Sequence, residues 1–144
     1  MPVLKLDKNL DKSELKVLNN LLVQLSSKVR QTSSFDLLNI LSQDNVFCFV
    51  YRNNLRSPIL GIVFLVKYHT LTGIHCRLED LVVDERYRGK GIGTELVLAC
   101  INFARSLSAE YIDLTSNPSR IQANRLYQKL GFQKRETNVY RFDL

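Results

Sequence analysis

Residues 82–97, VVDERYRGKGIGTELV, set three glycines and three basic residues between two apolar runs. The run before them, GIHCRLEDLVV, is rich in aliphatic and β-branched residues and reads as a strand. The run after them, GTELVLACINFARSL, carries Leu96, Cys100, Phe103 and Leu107 at helical spacing. A strand that ends in a glycine loop and re-enters directly as a helix demands a sheet with helices packed against it. The glycines let backbone N–H groups turn outward without a Cβ in the way. The first turn of the helix adds unpaired N–H groups and the positive end of its dipole. With Arg88 and Lys90 alongside, the junction predicts an anion site suited to a pyrophosphate. Two familiar phosphate loops fail on spacing: Lys90 precedes the last glycines, unlike a P-loop, and the run is GxGxG rather than GxGxxG. The plainer alternative is a tight turn with solvated charges.

The rest of the chain supports a mixed sheet with helices on both faces. VLKL reads as a first strand. DKSELKVLNNLLVQLSSKVR reads as a helix, with Asp11 and Glu14 as a capping box and Leu15, Leu18, Leu22, Leu25 and Val29 on its apolar stripe. SSFDLLNILSQ is a shorter helix capped by Ser33 or Ser34. NVFCFVYR and SPILGIVFLVKYH form a strand hairpin, and GIHCRLEDLVV is the next strand. After the loop and its helix come a short strand AEYIDLT, a helix SRIQANRLYQKL with Gly131 as its C-cap, and a final strand pair FQKR and NVYRFDL. With 144 residues and no linker or repeat, a single domain is expected over the whole chain.

Composition narrows the partners. Hydrophobic residues at 45% and charged residues at 24% suit a globular chain, with no apolar tract long enough to span a membrane. The start, MPVLKLDKN, has no h-region, so no secretory leader is expected. Cys48, Cys76 and Cys100 match neither a zinc pattern nor a disulfide framework and read as buried free thiols of a cytoplasmic protein. No His/Cys/Asp grouping has metal-ligand spacing, so no metal is expected. The net charge of +6 attracts anions, but no basic run or DNA-binding spacing supports nucleic acid.

Two elements in order resemble the GNAT superfamily of N-acetyltransferases. The family loop Arg/Gln-x-x-Gly-x-Gly/Ala is matched by Arg88-Gly89-Lys90-Gly91-Ile92-Gly93 in its strand–loop–helix setting. The downstream element AxxLYxxxGF is matched by Ala123, Leu126, Tyr127, Gly131 and Phe132. The resemblance covers roughly residues 35–144 and implies the GNAT acyl-CoA N-acyltransferase fold. It also implies acetyl-CoA as the acetyl donor, with its pyrophosphate on the backbone N–H groups of Arg88, Gly89, Lys90, Gly91, Ile92, Gly93 and Thr94. The pantetheine arm would pair with Leu81, Val82 and Val83, in a gap where this strand splays from YIDLT. The step "LED" resembles the "IED" of glucosamine-6-phosphate N-acetyltransferases. One position departs: Arg120 stands where many members carry Asn, and Asn117 is the substitute for that contact.

Acetyl transfer to an amine needs a neutral amine, a stabilised oxyanion and a protonated leaving thiolate. Tyr127 matches the family tyrosine near the sulfur and is the expected general acid, with Arg120, Asn124 and Tyr127 on one helix face. The alternative is a core tyrosine. Glu79 is the expected base, because a carboxylate in an apolar strand is costly without a purpose. Strict alternation would put it on one face with Leu81 and Val83, and Asp80 on the other with Val82. The alternative is a structural ion pair with Arg77. His75, on the same strand, is a second basic candidate, and His69 a weaker one.

The acceptor would lie against the opening helices and early loops, which carry Lys28, Arg30, Lys67 and Arg77. The resulting expectation is an N-acetyltransferase acting on a small-molecule amine by direct attack. Protein or peptide acetylation and a non-catalytic CoA-binding module are the alternatives. A homodimer through the final strands is left open.

Overall fold

The computed structural model describes residues 2–6, 10–26 and 33–144. The chain divides into two compact units, Met1–Leu114 and Thr115–Leu144. The first unit contains β1 (Val3–Lys5), α1 (Lys12–Leu25), α2 (Ser34–Leu41), β2 (Val46–Tyr51), β3 (Gly61–Thr70) and β4 (Gly73–Val83). A short 3-10 turn (Glu85–Tyr87), α3 (Ile92–Ser106) and β5 (Ile112–Asp113) complete it. The strands lie in the order β1-β2-β3-β4-β5, antiparallel except for the parallel pair β4 and β5.

Local chemistry explains the helix starts. The Asp11 carboxylate accepts from the Glu14 N–H at 2.8 Å, and Glu14 accepts from the Asp11 N–H at 3.2 Å. Ser33 caps α2 in the same way, accepting from the Asp36 N–H at 3.1 Å. Leu18, Leu21 and Leu22 of α1 and Leu37 and Leu41 of α2 are buried with Cys48, Val50, Ile62, Phe64 and Val82 of the sheet. The Lys28, Arg30 and Val29 positions lie outside the described residues.

The other pleat of the sheet meets α3. A Cβ on Gly61 would stand 3.0 Å from Leu96 and 3.1 Å from Ile92, so helix and strand touch through a missing side chain. Phe47 and Phe49 pack edge-on against Phe103, with ring centroids 4.7 and 5.5 Å apart. Cys48, Cys76 and Cys100 are buried and free. Burial raises all three thiols, Cys100 to about 12, so they act as small apolar side chains.

The ladder between β3 and β4 carries one irregularity. Ile62 faces Val82 and Phe64 faces Glu79, so Asp80 and Leu81 together oppose Val63. Asp80 there adopts φ 55°, in the left-handed region. This bulge overturns the alternation expected for β4: Glu79 shares its face with Val82, not with Leu81 and Val83. Up to the bulge the register is regular, so His75, Arg77 and Glu79 lie on one face, opposite Tyr68, Val66 and Phe64.

The second unit is built on α4 (Ile121–Lys129). The Asn117 side chain accepts from the Ser119 N–H and hydroxyl, at 2.9 and 2.8 Å, and its carbonyl accepts from the Asn124 amide at 3.0 Å. Gly131, at φ 97°, ends the helix as expected. The expected strand pair FQKR and NVYRFDL is absent: residues 132–144 join no ladder, and Tyr140 and Phe142 are both 87% exposed. Propensity and alternation suggested strands, but a strand exists only where a neighbouring backbone takes its hydrogen bonds.

Candidate functional site

The glycine loop is clamped at its start. The buried Asp84 caps the 3-10 turn, accepting from the Arg86 N–H at 3.0 Å and from its guanidinium at 3.1 and 2.7 Å. These bonds to Arg86 hold the Asp84 carboxyl below its ordinary pKa. Arg88 then folds back, its Nε donating to the Val83 carbonyl at 3.0 Å, which ties loop to strand. The Lys90 ammonium sits 5.0 Å over the Tyr87 ring.

Gly89 and Gly91 have φ of 75° and 83°. A Cβ on either would meet nothing within 4 Å, so the concave side of the loop is open. Gly91 caps α3 without any side-chain hydrogen bond, and the first helical bond runs from the Glu95 N–H to the Gly91 carbonyl at 3.0 Å. The N–H groups of Ile92, Gly93 and Thr94 therefore have no acceptor inside the helix. An open, positively charged cradle at a helix N-terminus fits a pyrophosphate group. Ile92 contributes only backbone to it, its side chain being 4% exposed in the core.

Beside the loop, β4 outruns its neighbour. Its parallel ladder with β5 pairs Cys76 with Ile112 and Arg77 with Asp113 and goes no further, while β4 continues through Leu81 and Val82 to Val83. Such a strand suits an extended ligand arm with amide groups. Where the ladder ends, the Arg77 Nε donates to the Glu79 carboxylate. Both side chains are over a third exposed, so this pair contributes little to stability. Asp80 follows, also exposed as a residue, yet burial around its carboxyl and then the charge of Glu79 raise its pKa.

His75 has different company. It is 2% exposed and stacks on Tyr111 with centroids 4.1 Å apart, and its Nε2 meets the Thr70 and Thr72 hydroxyls at 3.1 Å. That is the environment of a core histidine. His69 lies exposed near the end of β3.

In the second unit Asn117 and Arg120 lie at the start of α4, and Tyr127 lies in its last turn. The Asn117 carboxamide oxygen is committed to its own turn, and Arg120 occupies the N-cap of α4. Tyr127 is 7% exposed, with its ring 5.8 Å from that of Phe132. Burial raises the phenol's pKa, opposed by the charge of Arg120, so the hydroxyl keeps its proton at neutral pH. Sequence reasoning did not single out Asp84 or the conformation of Asp80. Asp84 has a local signal, an Asp two residues before an Arg at a strand end. The Asp80 conformation depends on a register that only the partner strand sets.

The sequence profile of the acetyltransferase (GNAT) family matches residues 15–132. A Bacillus subtilis spermine/spermidine N(1)-acetyltransferase is 40% identical over 39% of this chain and 38% of its own. A Trypanosoma brucei brucei glucosamine 6-phosphate N-acetyltransferase is 36% identical over 46% of this chain and 43% of its own. The chain thus spans less than half the length of these curated relatives. A crystal structure of a Trypanosoma brucei acetyltransferase superposes with a TM-score of 0.79 at 27% identity, covering 99% of this chain and 98% of that one. With a profile that takes in the glycine loop, β4 and the tyrosine helix alike, the chain belongs to the GNAT acetyltransferase family.

Proposed function

We propose that the chain works as a single acetyl-CoA-dependent N-acetyltransferase domain that acetylates a primary amine of a small molecule. The observation that carries this reading is the loop Arg88–Gly93, open in front of two left-handed glycines at the head of α3. Acetyl-CoA supplies the activated acetyl carbonyl and a thiolate leaving group. Loop N–H groups from Arg88 to Thr94, with the Arg88 and Lys90 charges, hold the pyrophosphate. The free length of β4 at Leu81, Val82 and Val83 orients the pantetheine arm. Asn117 and Arg120 add contacts to the donor. Glu79 engages the acceptor amine, and Tyr127, protonated at neutral pH, gives a proton to the departing sulfur. Direct attack by the amine needs no nucleophilic cysteine, which agrees with three thiols buried and raised in pKa.

Relatives named for spermine/spermidine and for glucosamine 6-phosphate support a small amine as the acceptor. The decisive test is calorimetric titration with acetyl-CoA, followed by thiol release with spermidine, glucosamine 6-phosphate and a short peptide as acceptors. Micromolar binding with release for a small amine is the expected result. Release with the peptide alone would replace the small-molecule reading by peptide acetylation. No binding of acetyl-CoA would refute the whole assignment.

A further inference from the structure

Up to the bulge, β3, β4 and β5 lay three rows of side chains across one face of the sheet. Phe64 and Glu79 form the first row, Val66, Arg77 and Asp113 the second, and Tyr68, His75 and Tyr111 the third. α1 and α2 cover this face where Cys48, Ile62, Phe64 and Val82 join their leucines in the core. The third row lies beyond that cluster, with Tyr68 37% and Tyr111 44% exposed. The buried His75 backs the row. Its Nε2 is held between the Thr70 and Thr72 hydroxyls, and its ring lies within 17° of parallel to that of Tyr111. The exposed part of Tyr111 is therefore the ring face and edge turned away from His75. Tyr68 leans on His75 from the β3 side, with centroids 5.5 Å apart. Burial, then a hydrogen bond to Tyr111, raises the Tyr68 phenol's pKa, so this hydroxyl is uncharged at neutral pH. The third row is an aromatic surface two residues along the strands, about 7 Å, from Arg77 and Asp113.

We propose that the acceptor is an arylalkylamine, a primary amine carried two or three carbons from an aromatic ring that stacks on Tyr111. This rests on the acetyl-transfer reading above and names the class of amine that the same site selects. Glu79, Arg77 and Asp113 together leave a balance of one negative charge, which matches a single ammonium. A second ammonium would reach the third row and find rings there, with no carboxylate in the row. A phosphate would bring its charge against Glu79 and Asp113, while the Arg77 guanidinium is already bonded to Glu79. An aromatic ring instead meets the open face of Tyr111, and both surfaces leave water. With the amine at the end of the β4–β5 ladder, beside Arg77 and Asp113, a short alkyl chain spans the distance to that row. The ammonium loses one proton to solvent, and its nitrogen forms the C–N bond at the acetyl carbon as the C–S bond breaks. The thiolate takes up a proton as the nitrogen sheds its second, giving the N-acetyl arylalkylamine and the free thiol of coenzyme A.

The test is thiol release from acetyl-CoA by the full chain, with tyramine and n-butylamine as acceptors beside spermidine and glucosamine 6-phosphate. Tyramine is expected to exceed butylamine by about tenfold or more in kcat/KM, and to exceed the other two. The difference should lie in KM, because the ring binds alike before and during transfer. Tyr111→Leu and Tyr68→Leu, which keep an apolar side chain, should each shrink the tyramine-to-butylamine ratio about 3–10-fold. Tyr111→Phe, which keeps the ring, should restore it. The ratio compares two acceptors on one protein, so a general loss of folded enzyme cancels from it. Equal use of tyramine and butylamine, a preference for spermidine or glucosamine 6-phosphate, or no release with tyramine overturns the proposal. A ratio untouched by both leucine variants does so too. Each of these results leaves the acetyl-CoA site standing, whereas failure of the wild-type chain to bind acetyl-CoA in calorimetry overturns the reading beneath it.

Discussion

Gly91→Ala separates the role of the loop in binding from its role in folding. Gly91 sits at φ 83°, where an L-residue pays about 1–2 kcal/mol. No atom lies within 4 Å of the added Cβ, so no clash adds to that torsional cost. For a chain of this size about 1 kcal/mol moves Tm by roughly 3–4 °C, so a fall of about 3–8 °C is expected. Binding should suffer more. If the loop keeps its shape, the methyl group fills space in front of the N–H groups; if it relaxes, those groups turn away. Either route removes at least one charge-assisted hydrogen bond, about 1.5–3 kcal/mol, or roughly 10–150-fold in Kd for acetyl-CoA. Gly131→Ala is the matched control, because it too has positive φ, at 97°, and empty surroundings. It should lose similar stability in calorimetry and keep its affinity. A Gly91→Ala protein that binds acetyl-CoA within about twofold of wild type would refute the pyrophosphate cradle.

Tyr127→Phe is expected to lower kcat by about 10²-fold or more with acetyl-CoA affinity kept, and unchanged turnover would return Tyr127 to the core. Glu14→Gln strips the carboxylate from Arg52, whose side chain is 10% exposed and bonded to Glu14 at 2.9 Å. Because Glu14 is itself partly solvated, the loss should be about 1–3 kcal/mol, read as a Tm fall of roughly 3–12 °C. Asp84 titrates below its unfolded value of 3.8, so its contribution is present above that pH and disappears as pH falls through the folded value. Asp84→Asn should therefore destabilise at pH 7, the gap from wild type closing in acid. A gap that stays constant as the pH is lowered would show that the carboxylate's charge is not the cause.

The elements legible in the sequence are those fixed by neighbours along the chain. Asp11 and Ser33 announce α1 and α2, because a cap needs only the residue three positions on. β4 runs over Gly73–Val83 as read, bounded by a glycine turn and the loop. What failed depends on partners elsewhere. The alternation argument for Glu79 assumed a regular ladder, and one extra residue opposite Val63 shifted every later position to the other face. NVYRFDL has strand propensity, yet no ladder takes it up.

The same distinction runs through the site. Gly89 and Gly91 were readable because left-handed glycines beside a helix start are a local demand, and both have positive φ. The glycines report where a ligand's phosphates fit but say nothing of which carboxylate removes a proton. Glu79 is paired with Arg77, and the Asp80 carboxyl beside it is raised by burial and then by the charge of Glu79. The bulge interrupts β4 just past Arg77–Asp113, the last pair of its ladder with β5. Deleting one residue from the step Glu79-Asp80-Leu81 would restore regular pairing with β3. It would also erase the only left-handed position that β4 holds outside its first glycine. If the bulge positions the residues of the site, such a deletion should stabilise the ladder and abolish turnover together, a pairing of effects that a merely structural kink would not produce.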